Sequence, residues 1–159
     1  MSGHAGGPYQ LIIRAPGFCL GVCCDDDEIH RIDYLASGPE SAAQNPLAGE
    51  TARQLRAYLA DPDFVFGLPL RPSGTAFQRR VWAQISAIPS RQTRSYGELA
   101  KALHSAPRAV GQACGANPFP LVIPCHRVIA AGGALGGFAR NGGGFMLDIK
   151  RWLLAHEGH

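Results

Sequence analysis

Asn117-Pro118-Phe119-Pro120-Leu121-Val122-Ile123-Pro124-Cys125-His126-Arg127-Val128-Ile129 is the stretch from which the rest of the chain is best read. Pro118, Pro120 and Pro124 forbid a helix, because each lacks a backbone N–H and crowds the turn before it. The apolar residues between them demand burial all the same. The segment is expected to pass through the interior and to take with it a cysteine followed at once by a histidine and an arginine. A buried thiol ionises reluctantly unless a base, a dipole or a charge favours the thiolate, and His126 and Arg127 supply that kind of help. The dipeptide alone leaves two readings open, a nucleophile at Cys125 or a small core residue, since free cysteine is among the most buried side chains.

Working outward, the residues before this segment have helical periodicity. Phe77, Val81, Trp82, Ile85 and Ile88 form one stripe of a helix from about Thr75 to Ile88, closed by Pro89. Ser95 and Glu98 have the spacing of a capping box and open a helix whose Leu99 and Leu103 face inward. Pro107 at a first-turn position starts another, marked by the Ala109-Val110 and Ala113-Cys114 pairs and stopping near Gly115. These two short helices, joined by His104-Ser105-Ala106, have the pattern of a helix-turn-helix with Arg108 at the start of its second helix. After the proline-rich segment comes a Gly-rich loop, 132 to 144, broken by Leu135, Phe138 and Arg140. A last helix from about Met146 to His156 turns Ile149, Trp152 and Leu153 inward and ends at Gly158.

The other half of the chain is different. Gln10 to Arg14, Gly17 to Cys24 and Ile29 to Leu35 read as strands, with Asp25-Asp26-Asp27-Glu28 as a hairpin turn. Pro39 to Pro46 is a small-residue loop, Glu50 to Ala60 carries Ala52, Leu55 and Leu59 at helical spacing, and Phe64 to Leu68 is expected to add a strand. Residues 69 to 74 have linker composition. The reading is a two-domain protein, 1–70 and 71–159, of mixed α/β class.

The chain has 159 residues, 46% hydrophobic and 17% charged, which is globular composition. No run approaches the ~18 apolar residues of a membrane span. Residues 1 to 8 lack the basic and apolar parts of a secretory signal, so the cytoplasm or nucleoid is expected. Five cysteines, an odd number without framework spacing, are read as reduced thiols. The net charge of +3 conceals −4 over residues 1–74 and +7 over 75–159. A basic half is what a polyanion-binding face looks like in sequence, though a solvated basic surface has the same composition.

Pro124-Cys125-His126-Arg127-Val128, with Asn117-Pro118 and Arg108-Ala109-Val110-Gly111 before it, resembles the signature of the 6-O-alkylguanine-DNA alkyltransferases, also called methylated-DNA–protein-cysteine methyltransferases. The resemblance extends to Phe77 through Trp82, Ser95 through Ala100 and Trp152 through Gly158. Over residues 9 to 70 it is one of order and length. It implies a ribonuclease H-like α/β domain at the N-terminus and a helical, winged-helix-like domain with the helix-turn-helix at the C-terminus. It also implies direct reversal of 6-O-alkylguanine in double-stranded DNA, one alkyl group per protein molecule, with no cofactor.

By position, the resemblance makes Cys125 the alkyl acceptor. His126 becomes the base that deprotonates it through a bound water, and Glu157 the acid orienting that histidine. Tyr96 would turn the target phosphate and protonate the departing guanine, Asn117 would brace the helix-turn-helix against the active-site segment, and Lys150 would lie near the substrate. The carbonyls of Cys125 and Val128 would accept from the guanine amine, and the amide near Ala139 would donate to its O6. Arg108 would take the place of the extruded base. The small residues Ala109, Gly111, Ala113 and Gly115 would let the helix approach the minor groove.

The sequence departs from the family pattern at Gly137-Phe138, where a tyrosine hydroxyl is lost, and in a longer Gly-rich loop. Cys19, Cys23, Cys24 and His30 bring zinc to mind, but strand alternation puts Cys23 and Cys24 on opposite faces, so no metal is expected. No membrane and no obligate protein partner are expected; the protein is read as a monomer, or as copies that cooperate along DNA. The competing readings are a non-catalytic lesion-binding relative, which would lack Cys125, a helix-turn-helix transcriptional regulator, and a cysteine hydrolase, for which adjacent Cys and His are poorly placed.

Overall fold

The structure, a computed structural model, describes residues 8–130 and 144–159. The chain divides into two compact units, Met1–Arg71 and Pro72–His159.

The first unit is a three-stranded antiparallel sheet of β1 (Leu11–Ala15), β2 (Phe18–Cys24) and β3 (Ile29–Ala36) in the order β1-β2-β3, with helix α1 (Pro46–Ala60) packed on β1 and β2. Pro16 and Gly17 form the first turn, Gly17 in the left-handed region at φ 88°. At the second, Asp25 Oδ1 accepts from the backbone N–H groups of Asp27 and Glu28 at 2.8 Å each. Those donors hold its carboxyl down to about 2. The central strand is buried along its whole length. A Cβ on Gly21 would meet the Tyr9 ring at 2.7 Å, so only glycine lets Tyr9 lie across the sheet, where its hydroxyl donates to Asp33 at 2.7 Å.

Helix α1 begins one turn before the expected Glu50. Asn45 caps it by accepting from Ala48 N at 2.8 Å, and Pro46 occupies the first helical position. Tyr58 is buried and Leu59 only half-buried. Residues 64–68 do not form the expected strand; Pro69 and Arg71 instead pair with Ile29 through backbone bonds of 2.8 Å, so the first part of the supposed linker is fastened to β3. Cys23 and Cys24 are both buried, as is every residue of β2, and the pairing with β3 skips His30 between their partners. The Cys19 and Cys24 thiols donate to Gly38 O and Asn45 Oδ1, each at 3.6 Å.

The second unit contains helices α2 (Ala76–Ser86), α3 (Tyr96–Ala102), α4 (Pro107–Gly115) and α5 (Gly144–His156), and the short parallel pair β4 (Arg94–Ser95) and β5 (Val128–Ile129). Capping boxes open α2 (Thr75 with Gln78) and α3 (Ser95 with Glu98). Val81, Trp82, Ile85 and Ile88 are buried, while Phe77 is half-exposed. Trp82 Nε1 donates to Ala113 O at 2.8 Å and joins α2 to α4. Arg80 covers the end of α3 by donating to Leu103 O at 3.3 Å. Helices α3 and α4 pack together around the turn through His104, whose φ is 54°. In α5 it is Ile149, Lys150, Leu153 and Leu154 that are buried, with Trp152 half-exposed and stacked on His156 at 4.8 Å. No helix among the described residues is long and apolar enough to cross a membrane.

Candidate active site

The 117–129 segment runs inside the second unit, as its composition requires, and at Cys125–Arg127 it tightens into a single 3-10 turn before entering β5. Asn117 ties its two ends together. Its Nδ2 donates to Ile123 O at 2.9 Å and to Cys125 Sγ at 3.2 Å, while its Oδ1 accepts from Phe119 N at 2.8 Å. The Cys125 thiol is 6% exposed and points at the last turn of α4, donating to Cys114 O at 3.8 Å. The neighbouring Cys114 thiol and burial together hold Cys125 well above its ordinary range, so at rest it is a neutral thiol.

The turn sends His126 the other way. Its Nε2 lies 2.7 Å from Glu157 Oε2, and both side chains are completely buried. Arg127 grips the same carboxyl as a fork, Nε to Oε1 at 2.9 Å and Nη2 to Oε2 at 3.0 Å, and its Nη1 donates to Ile88 O at 2.8 Å. An oxygen that already accepts from a guanidinium takes a proton donor from imidazole, so Nε2–H faces Glu157. Nδ1 then carries the lone pair; it is buried and has no hydrogen-bond partner among the described residues. Burial keeps His126 below its ordinary range, with Glu157 opposing, so the ring is neutral near pH 7.

Lys150 is fully buried and donates to Val128 O at 2.8 Å. Burial lowers it to about 8. Its Nζ also lies 5.9 Å from the centre of the Tyr96 ring. Tyr96 opens α3 and faces α4, where a Cβ on Gly111 would lie 4.0 Å from its ring. Burial raises its hydroxyl and keeps it protonated, a donor at any physiological pH.

Seven of the residues singled out in the sequence therefore gather at one place: Cys125, His126, Glu157, Asn117, Tyr96, Val128 and Lys150. Arg108 stands apart on the exposed start of α4, with Ala109, Gly111 and Gly115 part-exposed along the same helix. Ala113 does not belong to that outer surface; it is 2% exposed and its carbonyl holds Trp82. Phe138 and Ala139 lie outside the described residues. Sequence reasoning missed two contributors. The Arg127 fork had a visible signal in the residue itself but none in its direction, and the Cys114 thiol was read only as a helix-core residue. Among the described residues no group of three or more His, Cys, Asp or Glu could hold a metal ion.

A helix-turn-helix whose second helix ends against a buried thiol, beside a His–Glu–Arg cluster, places a candidate DNA-binding surface and a candidate nucleophile in one unit. Residues 76–159 match the DNA-binding domain of 6-O-methylguanine DNA methyltransferase. The chain is 45% identical over 158 residues to a methylated-DNA–protein-cysteine methyltransferase of Methanosarcina acetivorans, covering 94% of this chain and 98% of that one. It is 49% identical over 117 residues to the one of Mycolicibacterium paratuberculosis, covering 72% and 68%. The crystal structure of Mycobacterium tuberculosis OGT in complex with DNA superposes with a TM-score of 0.78 at 34% identity, covering 92% of this chain and 90% of that one.

The chain belongs to the methylated-DNA–protein-cysteine methyltransferase family, and it repairs O6-methylguanine in DNA directly, by methyl transfer to a cysteine. It binds DNA.

Proposed function

We propose that Cys125 is the acceptor and that the transfer is an irreversible, stoichiometric displacement on guanine O6 in double-stranded DNA. The observation that carries this reading is the contact set of its sulfur, 3.2 Å from the Asn117 amide and one residue from a buried His–Glu pair. His126 Nδ1 takes the thiol proton through a water, and the Asn117 amide steadies the sulfur as charge grows on it. The S–C bond forms as the C–O6 bond breaks; the electron pair stays on the guanine, which takes a proton from the Tyr96 hydroxyl. The thioether has no route back to a thiol here, so each molecule acts once and needs no cofactor.

A buried thiol cannot reach a base inside a duplex, so the methylated nucleotide must be turned out of the stack. Arg108, exposed where α4 begins, fills the gap it leaves, with Ala109, Gly111 and Gly115 allowing close approach to the minor groove. Val128 O already accepts from Lys150 and retains a second lone pair for the guanine amine. Phe138 and Ala139 complete the substrate's surroundings in this reading. The division of labour follows the two units, with residues 71–159 acting on DNA and 1–70 serving as a ribonuclease H-like scaffold. The protein works as a monomer in the cytoplasm, on the nucleoid when bound.

Incubation with excess methylated oligonucleotide should add about 14 Da, one CH₂ net, to the peptide containing Cys125 and then stop. A Cys125→Ser protein that still repairs, or a wild type that turns over repeatedly, overturns the proposal.

A further inference from the structure

Arg127 follows the base directly in the chain, yet its guanidinium reaches past the ring to the acid behind it. Nε donates to Glu157 Oε1 at 2.9 Å and Nη2 to Oε2 at 3.0 Å, while Nη1 is anchored on Ile88 O at 2.8 Å, just beyond α2. Its side chain is 11% exposed, and those of Glu157 and His126 are not exposed at all. His126 Nε2, 2.7 Å from Oε2, completes a buried row of guanidinium, carboxylate and imidazole. With the ring neutral, the row carries one positive and one negative charge. A proton on the ring would give it a net positive charge away from water, which a low-dielectric interior penalises. Without the guanidinium the balance reverses, because the carboxylate would then be a buried anion that an imidazolium neutralises.

We propose that Arg127 is a positioning residue for the base: by neutralising Glu157 it lets the acid orient His126 without charging it, so that the ring keeps Nε2–H on the carboxylate and a free lone pair on Nδ1. The inference rests on the reading of His126 as the base for Cys125. The step itself is unchanged; the Cys125 proton passes through a water to Nδ1, and only then does the ring become an imidazolium. A fork of two N–H donors suits this role better than an ammonium would. It fixes the plane of the carboxyl group, and with it the direction in which Oε2 meets Nε2. The Arg127 charge also acts on the imidazole directly, lowering it against the upward pull of Glu157.

The titratable and charged groups around the ring, among the described residues, are Glu157 from beyond α5, Arg127 and Cys125 from the same turn, and Lys150 from α5, whose effect is smaller than that of Arg127. Arg127→Met removes the charge and keeps most of the volume, while Arg127→Lys keeps the charge and loses the fork. The first readout is the single-turnover rate of methyl transfer from a methylated-guanine duplex between pH 5 and 9. The second is the imidazole nitrogen shift of His126 by NMR in the DNA-free protein, which reports charge and tautomer with no chemistry at Cys125. The wild-type ring should be the neutral Nε2–H tautomer at pH 7. In Arg127→Met the imidazolium should persist to higher pH and the acid limb of the rate should move up by about one pH unit or more, a loss of about tenfold on that limb that is recovered in alkali. Arg127→Lys should lie nearer to the wild type than to Arg127→Met. Removing the Glu157 charge moves the limb the other way, so the two effects are distinct.

A profile for Arg127→Met that scales down at every pH without moving, or a His126 ring that titrates in it as in the wild type, overturns the role and leaves Arg127 a packing residue. If Arg127→Met does not fold, Arg127→Gln, which keeps donors and loses the charge, gives the same comparison. The wild type also decides by itself, since an imidazolium or an Nδ1–H tautomer at pH 7 overturns the proposal. Failure of the underlying reading looks different: the His126 titration would respond to Arg127 as expected, and the acid limb of methyl transfer would not follow it.

Discussion

Glu157 holds His126 from across the second unit, 2.7 Å between carboxyl and imidazole, with neither side chain exposed to solvent. The histidine lies in the 3-10 turn and the acid just past the end of α5, so the contact closes the unit around the reactive turn. Arg127 makes it durable, because its fork neutralises the carboxyl that orients the ring. In Glu157→Gln the upward pull on the imidazole disappears while the burial that lowers it stays. The base weakens and stays neutral to lower pH. Methyl transfer should fall roughly a hundredfold at neutral pH, and the acid limb of its rate profile should move to lower pH. Single-turnover rates from pH 5 to 8 check both; a profile that merely scales down would make Glu157 a packing residue only.

Lys150 should impose a stability slope in alkali. Its ammonium is buried, and its value falls from 10.5 to about 8 on folding. Between those limits the unfolded chain binds more protons than the folded one, so stability rises with pH across the window and the burial penalty is fully present below it. The gain is about 3 kcal/mol. Urea unfolding of wild type and Lys150→Met at pH 8 and pH 10.5 measures it: the gap between the two proteins should narrow in favour of wild type as pH rises. An unchanged gap would mean that folding leaves the affinity of Lys150 for its proton unaltered.

Arg108 should matter for extrusion and not for chemistry. It stands on the exposed start of α4, away from the Cys125 cluster, so Arg108→Ala leaves the relay intact. Repair of a duplex lesion should slow severely, while reaction with free benzylguanine or a single-stranded lesion, which need no gap filled, should be spared if the site admits them. Lys101→Ala, on an equally exposed face, should only weaken binding and flatten its salt dependence. Equal rate losses on duplex and free base for Arg108→Ala would place the arginine in the structure or the chemistry of the site.

Much of this was legible in the chain because the signals are local. Capping boxes at Thr75 and Ser95, Pro107 at a helix start and the prolines around Cys125 each fix a backbone conformation from a few neighbouring residues. The failures share one cause too. Phe64 to Leu68 has strand composition, but it was Pro69 to Arg71 that found backbone partners, on Ile29. Ala113 has the size for an outer surface, yet its carbonyl is taken by Trp82, a residue 31 positions earlier. In each case the deciding partner is distant in sequence, and composition carries no record of it.

The sequence by itself determined the helices, the burial of the 117–129 segment and the family, because these depend on residue type and on spacing within about a dozen positions. Its charge asymmetry set a basic half apart, while leaving a polyanion-binding face and a solvated surface equally open. Only the tertiary structure decided where the reactive groups aim. Consecutive residues in a 3-10 turn point about 120° apart, so Cys125 faces α4 while His126 faces Glu157, and Arg127 turns back onto the same acid. That Glu157 would be gripped by two of these three residues, and that the thiol would meet Cys114 and Asn117, follows from how α4 and α5 pack around the turn, a relation among side chains up to 31 residues apart.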